Sequence, residues 1–392
     1  MLNTKFSPWP CFSVDEIDAV RKVLLSNKVN YWTGTECLEF EKEFANYCNA
    51  SYAVALSNGS VALELALRTL GVGPGDEVIV TPRTFVATVS SIVLVGATPI
   101  FVDVEKESQN ISIESIKPAI TDKTSAIICV HLAGWPCEMD PIMELADSYG
   151  IFVIEDCAQA HGARYKGRSV GSIGNVGTWS FCQDKILTTG GEGGMITTND
   201  ENIWRNIWSY KDHGKNFEAV NKTKHSSGYQ WLHESIGSNY RMTEMQGAIG
   251  RIQLRKLTLW NDCRRKNAEA ILNTCNNFPS ILRISKPPSY IQHAWYKCYF
   301  FIRPEGMKNE WSRDRIIGEI NNRGAPCYAG VCPEIYLEKA FKNNGFEPDK
   351  RLPVAKELGE TSLMFLIHPT LTTDEIAKTC DIISKVIQLA SI

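Results

Sequence analysis

The stretch Ile151-Phe-Val-Ile-Glu-Asp-Cys-Ala-Gln159 decides the fold. Four consecutive apolar residues, three of them β-branched, run straight into two carboxylates. A short uninterrupted apolar run is a strand buried on both faces, the pattern of a parallel sheet covered by helices. Acidic residues at the end of such a strand face the crevice where α/β sheets bind ligands. Pleat alternation sends Glu155 and Asp156 to opposite faces, and the sequence leaves open which of them faces inward.

Moving outward, Tyr52–Leu56, Glu77–Val80, Pro99–Val102, Ser125–Leu132, Thr178–Cys182 and Met195–Thr198 read as further strands. Helical stretches such as Val61–Leu70 and Phe85–Val95 fall between them, so the fold class is α/β with a mostly parallel sheet. A chain of 392 residues exceeds one typical domain. Residues 1–260 are expected to form a large domain with an N-terminal helical segment, and 261–392 a smaller α+β domain containing the strand Tyr299–Ile302 and the helix Ile376–Leu389.

Capping boxes mark three helix starts: Ser13 with Glu16, Thr33 with Glu36, and Thr243 with Gln246. The first opens a helix whose apolar stripe is Val14, Ile17, Val20, Val23 and Leu24. The third opens a long helix through Leu257 and on toward Ile271. Tyr31 and Trp32, ahead of the second, either line a substrate mouth or pack as a hydrophobic staple. The polar, aromatic region Tyr210–His233 reads as a long loop and is a second candidate for contacting substrate.

Two further stretches carry chemistry. Ser57-Asn-Gly-Ser60 is a small polar turn between a strand and a helix, which is either a plain N-cap or an anion cup built from backbone N–H groups and the Ser57 and Ser60 hydroxyls. In Trp179-Ser-Phe-Cys-Gln-Asp-Lys185, a strand gives way to one lysine and then to the glycines of Gly190-Gly-Glu-Gly-Gly194. A primary amine forms a Schiff base with an aldehyde once its surroundings lower the reference pKa of about 10.4. The glycine spacings match neither a dinucleotide fingerprint nor a P-loop.

Composition excludes other classes. A net charge of -3 offers no basic field for nucleic acid. No stretch approaches the length of a membrane span and no signal-peptide core opens the chain, so a cytoplasmic protein is expected. The thirteen cysteines lack zinc spacing and read as thiols of a reducing compartment. His131, His161 and His213 likewise carry no metal spacing, and no metal is expected.

Taken together and in this order, Ser57-Asn-Gly-Ser60, Val153-Ile-Glu-Asp-Cys-Ala-Gln159, Ser180-Phe-Cys-Gln-Asp-Lys185, Gly190-Gly-Glu-Gly-Gly194 and Asn239-Tyr-Arg-Met242 resemble the nucleotide-sugar aminotransferases of the DegT/StrS family. The resemblance covers nearly the whole chain. It implies a fold-type-I enzyme dependent on pyridoxal 5'-phosphate (PLP), with active sites shared across a homodimer. Residue by residue, it implies that Lys185 is the Schiff-base lysine and that Asp156 pairs with the pyridinium nitrogen. Gln159 then lies near the ring 3-oxygen, and Phe85 stacks on the ring. Gly59, Ser60 and Ser180 form the phosphate cup, to which Asn239 reaches from the neighbouring subunit.

The implied reaction takes an amino group from L-glutamate to a nucleotide-linked keto sugar, foremost a 4-keto-6-deoxy sugar, for polysaccharide or glycan assembly. Two alternatives accompany it. A PLP-dependent sugar dehydratase shares the fold, but dehydrating relatives often carry another residue at the position of Lys185. A non-catalytic regulatory protein would be expected to have lost Lys185, Asp156 or the phosphate cup.

Overall fold

In the computed structural model, which describes residues 6–221 and 230–392, seven strands form the central sheet. They are β1 (Tyr52–Leu56), β2 (Glu77–Val80), β3 (Thr98–Phe101), β4 (Thr124–Val130), β5 (Phe152–Asp156), β6 (Val176–Ser180) and β7 (Gly194–Thr198). Their order across the sheet is β1-β7-β6-β5-β4-β2-β3. The pairs from β3 to β6 are parallel, and β7 runs antiparallel to β6 and β1. The sheet is therefore mostly parallel.

The helices that matter here are α1 (Val14–Ser26), α2 (Glu36–Cys48), α3 (Gly59–Thr69), α4 (Val86–Leu94), α5 (Met139–Tyr149), α6 (Glu201–Lys211), α7 (Glu244–Cys275), α8 (Arg313–Asn322) and α9 (Thr373–Ala390). The pleat divides each strand between two cores. Ile154, with Val80, Ile128 and Val176, packs on Leu65 of α3, Ile92 of α4 and Ile207 of α6. Val153, with Ile79, Ile127 and Cys129, packs on Ile142 and Leu145 of α5. Asp156 thus shares the face of Ile154, and Glu155 the face of Val153.

Helix α7 is 32 residues long and starts on the Thr243–Gln246 capping box. Its first half contributes Leu254 and Leu257 to a core with Phe40 and Phe44 of α2. Its second half contributes Ala268, Ile271 and Leu272 to the core of the smaller sheet. That sheet comprises β8 (Leu282–Arg283), β9 (Cys298–Ile302), β10 (Cys327–Tyr328) and β11 (Ser362–Phe365), in the antiparallel order β8-β9-β11-β10. Residue 260 lies inside the unbroken α7. The N-terminal segment also crosses over: Phe6 packs on the small-sheet core, and the Ser7 hydroxyl donates to Glu375 at 3.0 Å.

Three sequence expectations need correction. The Ser13–Glu16 capping box forms, but Val14, Ile17 and Leu24 of the α1 stripe are exposed, and only Val23 and Glu16 are buried. The helix docks instead through the Glu16 carboxylate, which takes hydrogen bonds from Gln253 and Lys256 of α7. Thr33 forms no capping box. The N-cap of α2 is Thr35, and the open amides of Glu36 and Cys37 donate to the Glu244 carboxylate. Finally, the region after β7 is not a simple loop, because α6 occupies Glu201–Lys211 and a short helix Phe217–Asn221. The part of Tyr210–His233 from 222 to 229 lies outside the described residues. Among the described residues no helix is long and apolar enough to cross a membrane.

Candidate active site

At the C-terminal edge of the sheet, between β5, β6, α3 and α4, lies a cavity of about 620 Å3. Asn58, Gly59 and Ser60 line one end. Asn58 is the N-cap of α3, and its side-chain oxygen takes the Val61 amide at 3.0 Å. The amides of Gly59 and Ser60, the first two helical residues, have no acceptor within the helix. They point with the positive helix end at the cavity, which is an anion cradle. Ser57 departs from the sequence reading: it does not line the cavity, and its amide is spent on the Tyr240 carbonyl at 2.9 Å.

Two glycines make the cradle compact. A Cβ on Gly59 would lie 2.6 Å from the Ser180 Cβ, and one on Gly194 would lie 2.3 Å from the Asn58 carbonyl oxygen. Gly194, the last of the glycines that follow Lys185, is thus the first residue of β7, pressed against the anion turn. Ser180, at the end of β6, completes this wall.

Asp156 stands at the end of β5, 5% exposed. One oxygen accepts from Thr88 Oγ1 at 2.8 Å and the other from the Ala158 amide at 3.1 Å. Thr88 in turn shares a hydrogen bond with Thr84, also at 2.8 Å. No basic side chain pairs with Asp156 among the described residues, so its charge is free to meet a cation inside the cavity. Glu155, by contrast, is fully occupied on the other face. One oxygen takes the Ile173 and Gly174 amides, and the other faces His131 Nε2 at 2.9 Å. His131 Nδ1 accepts the Cys137 amide at 3.0 Å, which fixes the proton on Nε2. The close triad of His131, Glu155 and Cys157 therefore has both imidazole nitrogens committed within the protein.

Phe85, the N-cap of α4, is 60% exposed and presents its ring to the cavity. Gln159 turns its carbonyl to the Ala133 amide at 2.8 Å, leaving the amide NH2 to donate into the cavity. Lys185 lies opposite, beside Asp184 and Cys182. Its carbonyl takes the indole N–H of Trp9 at 2.9 Å, and its ammonium sits 5.5 Å from the ring centre of Tyr296. The Tyr296 hydroxyl donates to Asp184. Burial raises the Asp184 pKa, but Lys185 and the Tyr296 hydrogen bond outweigh it and hold the carboxylate low. Behind this wall His161 is driven down to about 3 by burial and is neutral.

Of the residues singled out from sequence, Gly59, Ser60, Phe85, Asp156, Gln159, Ser180 and Lys185 meet in this one cavity. Asn239 does not: it is exposed and pairs with Asp212 through a backbone bridge. Tyr31 is also elsewhere, buried against Glu41 with the Lys211 ammonium 3.6 Å from its ring centre. Trp32 packs edge-on to Trp208. Tyr31 is thus a packing residue, whereas Trp32 keeps 39% of its surface exposed. Sequence reasoning missed Thr84 and Thr88, whose spacing of one helical turn around Phe85 was the available signal. It also missed Trp9 and Tyr296, which reach the site from remote segments with no local signature.

A second groove, of about 640 Å3, runs between α1 and α7. Its Arg251 pairs with Glu36 and Glu43 and its Lys256 with Glu16, so its charge is largely internally satisfied.

The DegT/DnrJ/EryC1/StrS aminotransferase family matches residues 10–384. The chain is 36% identical to a GDP-perosamine synthase of Escherichia coli O157:H7, over 92% of this chain and 91% of the relative. The crystal structure of an aminotransferase from Psychrobacter cryohalolentis is 58% identical, covers 98% of this chain and 99% of its own, and superposes with a TM-score of 0.97. An E. coli GDP-4-keto-6-deoxy-D-mannose-3-dehydratase with bound hydrated PLP is 27% identical, with a TM-score of 0.86 over 98% of this chain and 100% of its own. This chain belongs to the DegT/DnrJ/EryC1/StrS aminotransferase family, and its cofactor is pyridoxal phosphate.

Proposed function

We propose that the protein transfers an amino group from L-glutamate to a nucleotide-linked keto sugar, foremost a 4-keto-6-deoxy sugar, as a cytoplasmic homodimer with shared active sites. The observation that carries this reading is the meeting of Lys185, Asp156 and the Gly59–Ser60 cradle in one cavity. These residues fit pyridoxal phosphate: a cradle too tight for a Cβ at Gly59, an exposed aromatic ring, a buried carboxylate with no cationic partner among the described residues, and an amine. When bound, the cofactor supplies a carbonyl carbon that takes the amino group and a ring that accepts the electrons left when the Cα proton departs.

The chain's own residues do the rest. The amides of Gly59 and Ser60, with the Ser180 hydroxyl, hold the phosphate. Asp156, fixed by Thr88 and Ala158, keeps the ring nitrogen protonated by its charge. Phe85 would offer its exposed ring, and Gln159 an uncharged hydrogen bond, to the cofactor. The Lys185 amine would hold the cofactor's carbonyl carbon and would serve as the base that moves the proton at the donor Cα. Asn239, exposed in a single chain, is assigned to the cradle of the neighbouring subunit. The domain division is drawn at residue 260, within α7.

The relatives support a sugar acceptor by their names, GDP-perosamine synthase above all. The dehydratase reading is disfavoured by the presence of Lys185 in the cavity. The deciding experiment charges the holoenzyme with glutamate, removes the donor, and offers UDP-, dTDP- and GDP-linked 3- and 4-keto sugars. Mass spectrometry should find one of the 4-keto-6-deoxy sugars converted to its amine. If simple α-keto acids were aminated and no sugar were, the acceptor assignment would be wrong.

A further inference from the structure

A second cavity, of about 310 Å3, adjoins the first. Asp184 lines both, and the N-terminal residues Phe6, Pro8 and Trp9 cover the second, with Lys297 and His368 of the small domain as its far wall. Lys297 and Lys185 stand on the same ring, their ammonium groups 4.6 and 5.5 Å from the centre of Tyr296. Lys297 has no ion-pair partner among the described residues. The nearby carboxylate, Asp184, already takes the Tyr296 hydroxyl and faces Lys185.

The other groups around this cavity deepen its positive character. Arg264 of α7 is 1% exposed, lies 5.0 Å from the Trp9 ring centre, and spends one N–H on the Tyr296 carbonyl at 3.3 Å. Its Nε and second terminal nitrogen have no hydrogen-bond partner among the described residues. His368 is driven by burial to about 3 and is neutral, bonded to the Thr370 hydroxyl at 2.8 Å. Tyr296 and Tyr328 are kept protonated by burial. The half-buried Lys297 on the cavity wall and the buried Arg264 behind Trp9 thus bring two cations to this region. Asp184, the one carboxylate among the described residues that line the cavity, attracts both Lys185 and Lys297. Burial lowers Lys297 to about 8. An unpaired cation of this kind is costly until an anion joins it.

We propose that Lys297 receives the side-chain carboxylate of the dicarboxylic amino donor in this second cavity and thereby sets donor specificity. The inference rests on the aminotransferase reading above. A cavity that presents a single lysine ammonium on its wall matches the single charge of one carboxylate better than the multiple charges of a sugar nucleotide's diphosphate. Lys297 and Lys185 are both set against the Tyr296 ring, which puts the proposed carboxylate site beside, and distinct from, the reacting amine.

The test uses holoenzyme carrying Lys297→Met, with Lys297→Arg as the charge-conserving control. Single-turnover reaction with glutamate, read from the cofactor absorbance, should need at least tenfold more donor in Lys297→Met, with partial recovery in the arginine variant. Reaction with L-alanine, which lacks the side-chain carboxylate, and the KM of the keto sugar should not move. Glutarate, a dicarboxylate without an amine, should compete with glutamate in the wild type and lose that competition in Lys297→Met. Removing a half-buried cation that makes no ion pair among the described residues should leave Tm equal or higher, separating lost recognition from misfolding. Equal losses with glutamate and alanine, a raised sugar KM, unchanged glutamate dependence or undiminished glutarate inhibition would each overturn the proposal. A wild-type holoenzyme that accepts no amino group from any donor would instead refute the aminotransferase reading.

Discussion

Glu155→Gln and Asp156→Asn make the same chemical change at neighbouring residues, and the structure predicts opposite outcomes. In Asp156→Asn, the new amide donates to Thr88 Oγ1, and the Thr88 proton turns to Thr84, 2.8 Å away. The Ala158 amide keeps its acceptor. The chain of hydroxyls adapts, so stability should change by about 1 kcal/mol or less. Glu155 has no such freedom. Its Ile173 and Gly174 bonds would weaken from charged to neutral, and the new NH2 would face the Nε2–H of His131. His131 cannot change tautomer without stranding the Cys137 amide. Two weakened bonds and one donor facing a donor cost about 3 kcal/mol or more.

Urea unfolding of the holoenzymes measures the difference, and steady-state turnover measures the other half. Asp156→Asn should retain cofactor yet turn over at least tenfold more slowly, while Glu155→Gln should lose stability first. A Glu155→Gln variant within about 0.5 kcal/mol of wild type would refute the locked tautomer. The sign with pH follows. Burial raises the Glu155 pKa, but His131 and the Gly174 and Gly171 amides outweigh it, so the folded value lies below the unfolded one. Its contribution is present above the unfolded carboxylate range and fades as pH falls through the lowered folded value.

The remaining predictions concern the cradle, the lysine and the subunits. Gly59→Ala must displace the turn or Ser180, at about 1 to 3 kcal/mol, and should weaken cofactor binding roughly tenfold or more in equilibrium dialysis; unchanged affinity would argue against the cradle. Lys185→Ala should end transfer and let the cofactor wash out on dialysis, and a variant that keeps both would sink the proposed chemistry. If Asn239 serves the neighbouring site, a hybrid of Lys185→Ala and Asn239→Ala subunits contains one intact site. Co-expressed, affinity-separated hybrids should then be active while neither parent is; inactive hybrids would place Asn239 in its own chain's site, and an active Asn239→Ala parent would place it in neither.

Much of this was legible because the informative features are local. The strand Phe152–Asp156, the turn at Asn58–Gly59 and the lysine after β6 each carry their own signature in a few residues. Pleat alternation alone did not separate Glu155 from Asp156; the family resemblance pointed to Asp156, and the register that puts Ile154 on the α3 and α4 face gives the physical reason. The exposed stripe of α1 misled because periodicity reports amphipathicity but not which surface is covered. Trp9 and Tyr296 were invisible because their place beside Lys185 depends on packing across 176 residues in the first case and 112 in the pairing of Tyr296 with Asp184.

The unbroken α7 also limits how the molecule can move. At 1.5 Å per residue its 32 residues make a rod about 48 Å long with no proline to kink it. Its two glycines, Gly247 and Gly250, are clamped near its start against Cys37 and the Phe40 ring. A displacement of the small sheet is therefore levered through a stiff spar that is bolted to the large one. The wall bearing Lys297 meets an incoming donor already in position, and little binding energy is spent on drawing the halves together.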